Sequence, residues 1–308
     1  MEIPEVLLPY RLYGFERNVL MEKLFSDLSK YTVVKTDKVM AAWKPLSWDS
    51  KHFGCKMLEL KLFVPAVDAS FQDRSLLMKR LFDDWKGFDQ VTARINAFDT
   101  LSAQVCESMD FSLMDTNVRY GIDLRRTSVQ KLDGPSILVD GLSYEVMPLP
   151  FNTGKLSSEL NDLVKVSWSK SRMAPDRFHS DSRLPVKLAD SVYTEWLENS
   201  LTGELADTII VAKFHGEAIG FLALKVRADN IGNIIIGSIG LGAVDPSMRR
   251  KNVYINMVSL GLRVLKKGAD IVETGTQLTN YAPQRAWTLA GLKQVSATYT
   301  FHRWLNSH

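Results

Sequence analysis

Residues 234–280 read IIIGSIGLGAVDPSMRRKNVYINMVSLGLRVLKKGADIVETGTQLTN, and this stretch decides the fold class. In Ile234–Val244 apolar residues alternate with serine and glycine, which predicts a strand with one apolar face and one nearly bare face. A bare face lets another group lie close against the backbone. The same glycines are also typical of a bulge or of tight packing against a helix.

A basic turn follows this strand. Asp245-Pro246-Ser247 ends the strand, and Arg249-Arg250-Lys251-Asn252 leads into a segment whose apolar positions recur at helical spacing from Val253 to Leu265. Asp270–Gln277 then predicts a second strand, parallel to the first. Because free N–H groups and the helix dipole favour anions at a helix start, the three cations predict a phosphate site at the turn.

The strand, turn and helix resemble motif A of the GCN5-related N-acetyltransferase (GNAT) superfamily, in which the turn after V-x-P holds the pyrophosphate of acyl-coenzyme A. The family's turn reads roughly R-G-x-G-x-G/A. This chain keeps the first arginine, Arg249, and has Arg250, Asn252 and Tyr254 at the three glycine-type positions. Asparagine tolerates left-handed backbone, so Asn252 is the mildest of these departures.

A second match follows at the family's spacing. Asn280 and Pro283–Leu292 resemble the N-x-x-A-x-x-L-Y-x-x-x-G-F motif, and Tyr299–Leu305 has the character of the family's last strand. The whole pattern is most similar to the TDP-fucosamine acetyltransferase type of nucleotide-sugar N-acyltransferase. The resemblance covers nearly the whole chain, and its most specific signals lie in Phe178–Leu305.

The first third of the chain repeats part of this pattern. Thr92–Leu124 shows the same order of strand, helix and strand as Glu273–Leu305, with essentially no identities. We therefore expect an α/β (mixed α+β) fold with tandem GNAT-like domains. Residues 142–308 would form a complete domain with a central mixed sheet and flanking helices, and residues 1–130 a degenerate copy without the phosphate turn. Arg125–Gly141 is polar and would link them.

The resemblance implies acyl-CoA as co-substrate. Backbone N–H groups of Leu241, Gly242 and Ala243 would face the thioester carbonyl and pantetheine, the basic turn would hold the phosphates, and Asn280 would fix the pantetheine arm. The predicted cofactor-binding residues are Leu241, Gly242, Ala243, Val244, Arg249, Arg250, Lys251, Asn252, Val253, Tyr254, Asn280, Gln284 and Trp287.

Two further segments are candidates for the acceptor site. Leu46–Gly54 is rich in aromatic residues and ends on glycine, which predicts a loop, either pinned by buried aromatics or bordering the substrate. Ser169–Pro185 is polar and irregular, and its Arg177-Phe178-His179-x-Asp181 resembles a segment at the mouth of the sugar acyltransferase cleft. The predicted substrate-binding residues are Trp48, Phe53, Arg177, Phe178 and Gln277.

Acyl transfer to an amine requires a neutral amine and a thiolate that can leave. Trp287 stands where the family usually has a tyrosine acid, and an indole N–H cannot serve as one. Water can protonate the departing thiolate, because the pKa of the thiol is about 8.5. For the base, His179 is the first choice, because imidazole accepts a proton near neutral pH. Asp181, as orienting group or base, and Asp49 are the alternatives.

The composition of the chain bears on which partners, metals and cellular locations are expected. The chain has 308 residues, 45% of them apolar, and a net charge of +3 without a long basic block, so nothing favours nucleic acid. No apolar run reaches the roughly 18 residues of a membrane span. Cys55 and Cys106 form neither a disulfide framework nor metal spacing, and the five histidines form no metal motif. We expect a cytoplasmic protein without a metal, and a homodimer remains open.

The leading hypothesis is an N-acyltransferase that moves acetyl, or a larger acyl group such as 3-hydroxybutyryl, from acyl-CoA to the amine of a dTDP-linked amino-dideoxyhexose, for polysaccharide biosynthesis. One alternative is an acyltransferase for another small-molecule or protein amine. Another is a non-catalytic acyl-CoA-binding module, since the glycine-type residues and the tyrosine are replaced.

Overall fold

The computed structural model describes residues 28–128, 140–150, 154–169, 176–228 and 234–306, and the single residues 13 and 132. Its strands are β1 Thr32–Lys35, β2 Val39–Pro45, β3 Met57–Pro65, β4 Gln90–Asn96, β5 Ser112–Asp123, β6 Leu142–Pro148, β7 Thr208–Phe214, β8 Glu217–Ala228, β9 Ile235–Val244, β10 Ile271–Gln277 and β11 Lys293–Trp304. Its helices are α1 Ser47–Phe53, α2 Phe71–Asp84, α3 Thr100–Ser108, α4 Gly154–Ser169, α5 Arg177–Ser180, α6 Val186–Leu201, α7 Val253–Leu265 and α8 Tyr281–Leu289.

Two compact units interleave along the chain. The described residues of the first unit are 13, 28–118, 176–188 and 295–306, and the second unit contains those in 119–169 and 189–294. The first unit therefore takes α5 and most of β11 from the C-terminal half of the chain. The domain boundaries expected from sequence, 1–130 and 142–308, remain a prediction.

The first unit is built on a mixed sheet. β1, β2 and β3 form an antiparallel meander, β3 pairs in parallel with β4, and β4 pairs antiparallel with β11. The alternating residues Val91, Ala93 and Ile95 of β4 face a core that includes Leu77 of α2 and Val105 of α3. The opposite face of β4 is polar.

The second unit has its own mixed sheet. β6, β7, β8 and β9 are antiparallel neighbours, and β10 adds to β9 in parallel. His215 and Gly216, at φ 50° and 89°, make the tight turn between β7 and β8. One core cluster joins α4 and α6 to the sheet through residues such as Leu160, Leu197 and Phe221.

The internal repeat is confirmed in its order of elements. β4, α3 and β5 follow one another in the first third as β10, α8 and β11 do at the end of the chain. In each copy the strand before a long helix pairs in parallel with the strand after it, β3 with β4 and β9 with β10. The expected strand, helix and strand around the basic turn are β9, α7 and β10.

The loop expected at 46–54 is wrong, because Ser47–Phe53 is the helix α1. Gly54 ends it in the left-handed conformation, at φ 70°, and its N–H bonds to the Ser50 carbonyl. Asp49 in the first turn and Lys51 and His52 in the last turn complement the helix dipole. The glycine that suggested a loop is a helix stop.

Candidate functional site

The parallel ladder between β9 and β10 is short. Within the described residues it runs from Ile271 opposite Ile236 to Glu273 opposite Ser238 and ends there. On its other edge β9 carries a bulge, since the four residues from Ile239 to Gly242 face the three residues from Leu222 to Leu224 of β8. A bulge bends its strand and increases the local twist. The second unit therefore contains a fork in which β9 leaves β10, and Gly240 and Gly242 lie at the fork.

The basic turn beyond β9 has an unusual backbone. Arg250 and Asn252 both adopt left-handed conformations, at φ 63° and 59°. Left-handed backbone costs a residue with a side chain roughly 1–2 kcal/mol, and asparagine less than arginine. The turn thus has the conformation expected of glycine-type residues, although neither residue is glycine. Strain of this kind persists where the surrounding structure requires it, which is common at ligand sites.

The start of α7 is open to an anion. Its N-cap residue, Asn252, makes no side-chain capping hydrogen bond, and Arg249, Arg250 and Lys251 are exposed. The first N–H groups of a helix have no partner within the helix, and alternation of ordinary and left-handed residues turns backbone N–H groups toward one point. The predicted phosphate-binding residues are therefore arranged as an anion site requires.

The corresponding helix of the first unit has the opposite character. Ser70 and Asp73 form a complete capping box at the start of α2, with the Ser70 hydroxyl accepting from the Asp73 N–H and the Asp73 carboxylate accepting from the Ser70 N–H. An acid therefore occupies the place where a phosphate would bind. This agrees with the expectation that the first copy lacks the phosphate turn.

Large side chains occupy the positions where the sequence departs from the family pattern. A Cβ on Gly242 would lie 3.4 Å from the Tyr254 ring and 2.7 Å from Leu222 Cδ1, so the glycine is needed for this packing. Burial raises the pKa of Tyr254 to about 12, against a smaller lowering from the Trp287 indole. Trp287 is buried and lies 5.5 Å from the Tyr120 ring. Its N–H has no hydrogen-bond partner of good geometry among the described residues.

The motif after β10 is held by its own side chains. Asn280 Nδ2 donates to Thr276 Oγ1 at 2.9 Å, and Gln284 Nε2 contacts the backbone carbonyls of Gln277, Leu278 and Asn280 at 2.8–3.1 Å. These contacts hold residues 277–280 against the start of α8. They favour a structural role for the Gln284 amide, whereas Asn280 stays a candidate for the pantetheine arm through its oxygen.

Glu273 is a candidate that sequence reasoning missed. It is the last β10 residue in the ladder with β9, its side chain is 6% exposed, and Arg119 Nη1 lies 3.5 Å from Oε2. Oε1 has no hydrogen-bond partner in the described part of the chain. A charged residue directly after the apolar pair Ile271 and Val272 was the available signal.

Four residues predicted for the acceptor site or as its base, Asp49, Phe53, Arg177 and Phe178, make contacts with one another in the first unit. Arg177 Nη2 donates to Asp49 Oδ2 at 2.5 Å, and Arg177 N donates to Asp115 Oδ2 at 3.1 Å. Phe53 and Phe178 stack at 5.3 Å, and both are buried. Asp49 is therefore an ion-pair partner rather than a poised base, and the two phenylalanines form a core contact.

Trp48 and His52 lie side by side on α1. Their rings stack at 4.8 Å, and the His52 ring contacts the Leu188 carbonyl at 2.7 Å through Nε2. Trp48 is half-buried, so part of its ring stays accessible. Of the three aromatic residues predicted to contact substrate, Trp48 is the one with an accessible surface.

His179 has a carboxylate partner, but a different one from that expected. Asp176 caps α5 by accepting from the N–H groups of Phe178 and His179, and its carboxylate contacts His179 Nδ1 at 3.0 and 3.1 Å. The His179 side chain is 22% exposed. A carboxylate on Nδ1 fixes the ring and its tautomer, so this pair has the arrangement of an oriented base.

Asp181 has other partners. Its Oδ2 accepts from His302 Nδ1 at 2.8 Å and from the Trp304 indole at 3.0 Å, and its Oδ1 accepts from the Arg183 N–H. Burial raises the pKa of Asp181, but the hydrogen bonds from His302 and Arg183 outweigh it and the pKa is lowered. Burial lowers the pKa of His302 more than Asp181 raises it. Asp181 is thus an ionised acceptor for His302.

The predicted site residues fall into the two units. The second unit holds the predicted cofactor residues and Gln277, among which Val253 and Ala243 are buried and Leu241 packs on the core. The first unit holds Trp48, Asp49, Phe53, Arg177, Phe178, His179 and Asp181. In the described ranges no group of metal-ligating side chains is found, and no described helix is long and apolar enough to cross a membrane.

No protein-family model matches the chain. The spore coat polysaccharide biosynthesis protein SpsD of Bacillus subtilis is 26% identical over 268 residues, 83% of this chain and 81% of that protein. The GCN5-related N-acetyltransferase from Sphaerobacter thermophilus has a TM-score of 0.58 at 12% identity, over 99% of this chain and 93% of that one. The tandem GNAT protein from the clavulanic acid biosynthesis pathway has a TM-score of 0.56 at 11% identity, over 99% and 94%. The chain has the tandem GNAT fold.

Proposed function

We propose that the chain is an acyl-CoA-dependent N-acyltransferase of the GNAT type, acting on the amine of a nucleotide-linked amino sugar. The fold is that of N-acetyltransferases, and a relative of similar length is named for polysaccharide biosynthesis. The resemblance to TDP-fucosamine acetyltransferases makes a dTDP-linked amino-dideoxyhexose the acceptor to test first. The acyl group is acetyl or a larger one such as 3-hydroxybutyryl.

The turn after β9 carries this proposal. Arg250 and Asn252 accept left-handed backbone at the uncapped start of a 13-residue helix, with three exposed cations around them. A purely structural turn would gain nothing from arginine at a left-handed position, since glycine costs less there. The cost is understandable if both the backbone and the positive charge are used, as binding a pyrophosphate requires.

The fork supports the same function. Backbone N–H groups of a strand released from its neighbour can donate to a thioester oxygen, whose negative charge grows in the tetrahedral intermediate. The proposal assigns this role to the backbone of Leu241, Gly242 and Ala243. Trp287 supplies no acid, so the thiolate leaves unprotonated or takes a proton from water.

The proposed base is His179, oriented by Asp176. Its Nδ1 faces the carboxylate at 3.0 Å, so Nε2 is the nitrogen that would accept the proton of the attacking ammonium, directly or through water. Glu273 is the competing candidate, because its Oε1 is buried without a partner in the described residues. Asp49 and Asp181 rank below both, since each carboxylate is committed to a cation or to several donors.

The deciding experiment measures thermal shifts with acetyl-CoA and, separately, with a dTDP-amino sugar. The Arg249→Ala/Lys251→Ala variant should lose acyl-CoA affinity, by about 1.5–3 kcal/mol for each charge-assisted contact, and keep sugar-nucleotide affinity. Lys267→Ala/Lys293→Ala removes two exposed cations elsewhere in the second unit and should bind acyl-CoA normally.

The outcomes separate the alternatives. Binding of both ligands, with an acylated sugar found by mass spectrometry, supports the proposed enzyme. Binding of acyl-CoA alone points to another amine or to a non-catalytic module, and binding of neither refutes the proposal. Acyl-CoA and nucleotide sugars meet in the cytoplasm, where the free cysteines, Cys55 and Cys106, would stay reduced.

A further inference from the structure

An aromatic ring lines the face of the fork that α7 covers. A Cβ on Gly242 would lie 3.4 Å from Tyr254 Cε2, so this ring lies against the backbone of β9 at the fork. Tyr254 stands in the first turn of α7 and is half-buried. The family pattern has a glycine-type residue at this position, which would leave the same space empty. In this chain the space beside Gly242 is filled.

Two further aromatic residues extend this surface into an aromatic wall formed by Tyr120, Tyr254 and Trp287. The Trp287 indole interacts with the Tyr254 hydroxyl, and its ring lies 5.5 Å from the Tyr120 ring. Trp287 and Tyr120 are both buried. The Tyr120 hydroxyl contacts Gln284 Oε1 at 3.5 Å, and the Gln284 amide is held by carbonyls of residues 277–280. The aromatic wall is therefore fixed by packing and by polar contacts, and a packed arrangement of this kind resists the insertion of further atoms.

The other face of the fork is narrow as well. Leu241 packs on the core cluster of α4 and α6, which includes Phe221 and Ala243. Thr274 Oγ1 donates to the Ile239 carbonyl at 2.9 Å, so a side chain ties β10 to β9 one residue beyond the end of the ladder. The two strands therefore separate only after Ile239, between the aromatic wall on one face and the core on the other.

The strand backbone at the fork is nevertheless accessible. Gly240 is exposed, and Leu241 and Gly242 are half-buried. A flat group such as a thioester can reach this backbone, but the Tyr254 ring lies within contact distance of Gly242. An acetyl group carries one methyl group beyond its carbonyl, whereas a butyryl or 3-hydroxybutyryl group carries two further carbons. Added atoms are unfavourable in a packed site, and a single methylene changes selectivity by about 10- to 200-fold in enzyme pockets.

We propose that Tyr254 and Trp287 limit the length of the transferred acyl group, so that the protein uses acetyl-CoA and discriminates against four-carbon acyl-CoA. This inference rests on the proposed function, which assigns the thioester to the backbone of Leu241–Ala243. In that reaction the amine nitrogen bonds to the acyl carbon, the C–S bond breaks with its electron pair going to the sulfur of coenzyme A, and the base takes the proton of the amine. The acyl chain stays on its carbonyl carbon throughout, so the aromatic wall bounds its length before and after transfer.

The test compares the affinities of acetyl-CoA and butyryl-CoA, measured by calorimetry on the full chain without an acceptor amine. Because both ligands carry the same coenzyme A, contacts to phosphate and pantetheine cancel in the ratio of the two dissociation constants. The wild type should bind butyryl-CoA about 10-fold more weakly or worse. Tyr254→Ala should bring the two constants to within about 3-fold of each other, and Trp287→Phe, which leaves a smaller ring, should also narrow the ratio. Tyr254→Phe is the matched control, because it keeps the ring and should keep the wild-type ratio.

The results separate this inference from the proposed function. If the wild type binds both acyl-CoAs equally well, or if neither Tyr254→Ala nor Trp287→Phe narrows the ratio, the aromatic wall does not bound the acyl chain and the proposed function stands without it. A ratio that collapses in Tyr254→Phe as well assigns the effect to the hydroxyl and overturns the role of the ring. If Tyr254→Ala does not fold, Trp287→Phe decides alone. If the wild type binds no acyl-CoA, the proposed function fails and this inference fails with it.

Discussion

Replacement of Arg250 by glycine and by alanine tests the strained turn directly. Both variants remove the same exposed cation, but only glycine removes the left-handed penalty, which is about 1–2 kcal/mol for a residue with a Cβ. Glycine itself costs about 0.5–1 kcal/mol in backbone entropy. Glycine at 250 should therefore be more stable than alanine by roughly 0.5–1 kcal/mol, which reverses the usual order of the two residues.

Arg249 provides the matched comparison. It is also exposed, and its φ of −65° and ψ of 156° are ordinary extended backbone. Alanine there should be more stable than glycine by about 0.5–1 kcal/mol. When the two differences are subtracted, the entropy of glycine cancels and the penalty of about 1–2 kcal/mol at Arg250 remains.

Urea unfolding of the four variants gives these differences from their midpoints and slopes. If glycine is less stable than alanine at both positions, the turn is not left-handed at Arg250 and the argument for an anion site loses its main support. A linked result concerns function. Arg250→Val should weaken acyl-CoA binding more than Arg250→Ala, because a β-branched side chain resists this conformation while the charge change is identical.

Three further expectations concern other parts of the structure. Gly242→Ala should lower the free energy of unfolding by about 1–3 kcal/mol in urea unfolding, because the added Cβ would lie 2.7 Å from Leu222. Gly268→Ala is the control: its Cβ would meet nothing within 4 Å, and it should not destabilise the protein. Burial lowers the pKa of His302 below 6.5 in the folded chain, so the unfolded chain binds more protons below that pH. The free energy of unfolding should therefore fall as the pH drops below about 6.5. His302→Gln should flatten this dependence in melting curves. His179→Asn should lower kcat by roughly 100-fold and keep most of the substrate affinity. Asp176→Asn should lower kcat less and shift the acidic limb of the pH profile of kcat. If His179→Asn instead raises only the KM for the sugar nucleotide, His179 binds substrate and is not the base.

The local part of the fold was predictable from sequence. β9, the basic turn, α7 and β10 follow from an alternating run, a Pro-containing break and a helical stripe, all of which are short-range signals. The repeat order in Thr92–Leu124 was predictable for the same reason. The α1 helix was missed because Gly54 ends a helix as readily as it marks a loop, and seven residues give too short a stripe to decide.

The partners of the candidate site residues depend on tertiary structure. No short-range sequence pattern predicts that Asp181 contacts His302, which is 121 residues away, or that Arg177 contacts Asp49. The Asp176–His179 pair was readable, because an aspartate three residues before a histidine is a common helix cap. The polar face of β4 was also visible as alternation, but such a pattern ordinarily indicates a solvated face, and sequence gave no sign that it is buried.

The two copies of the fold differ most where their long helices begin. In the first, Ser70 and Asp73 satisfy the free N–H groups of α2 from within the chain, which stabilises the helix and makes an anion unfavourable there. In the second, α7 starts on a left-handed asparagine without a side-chain cap and behind three cations. A helix start that forgoes its own cap gives up about 1 kcal/mol of stability. A bound phosphate can return more than that through charge-assisted bonds, and for this reason we assign the cofactor to the second copy.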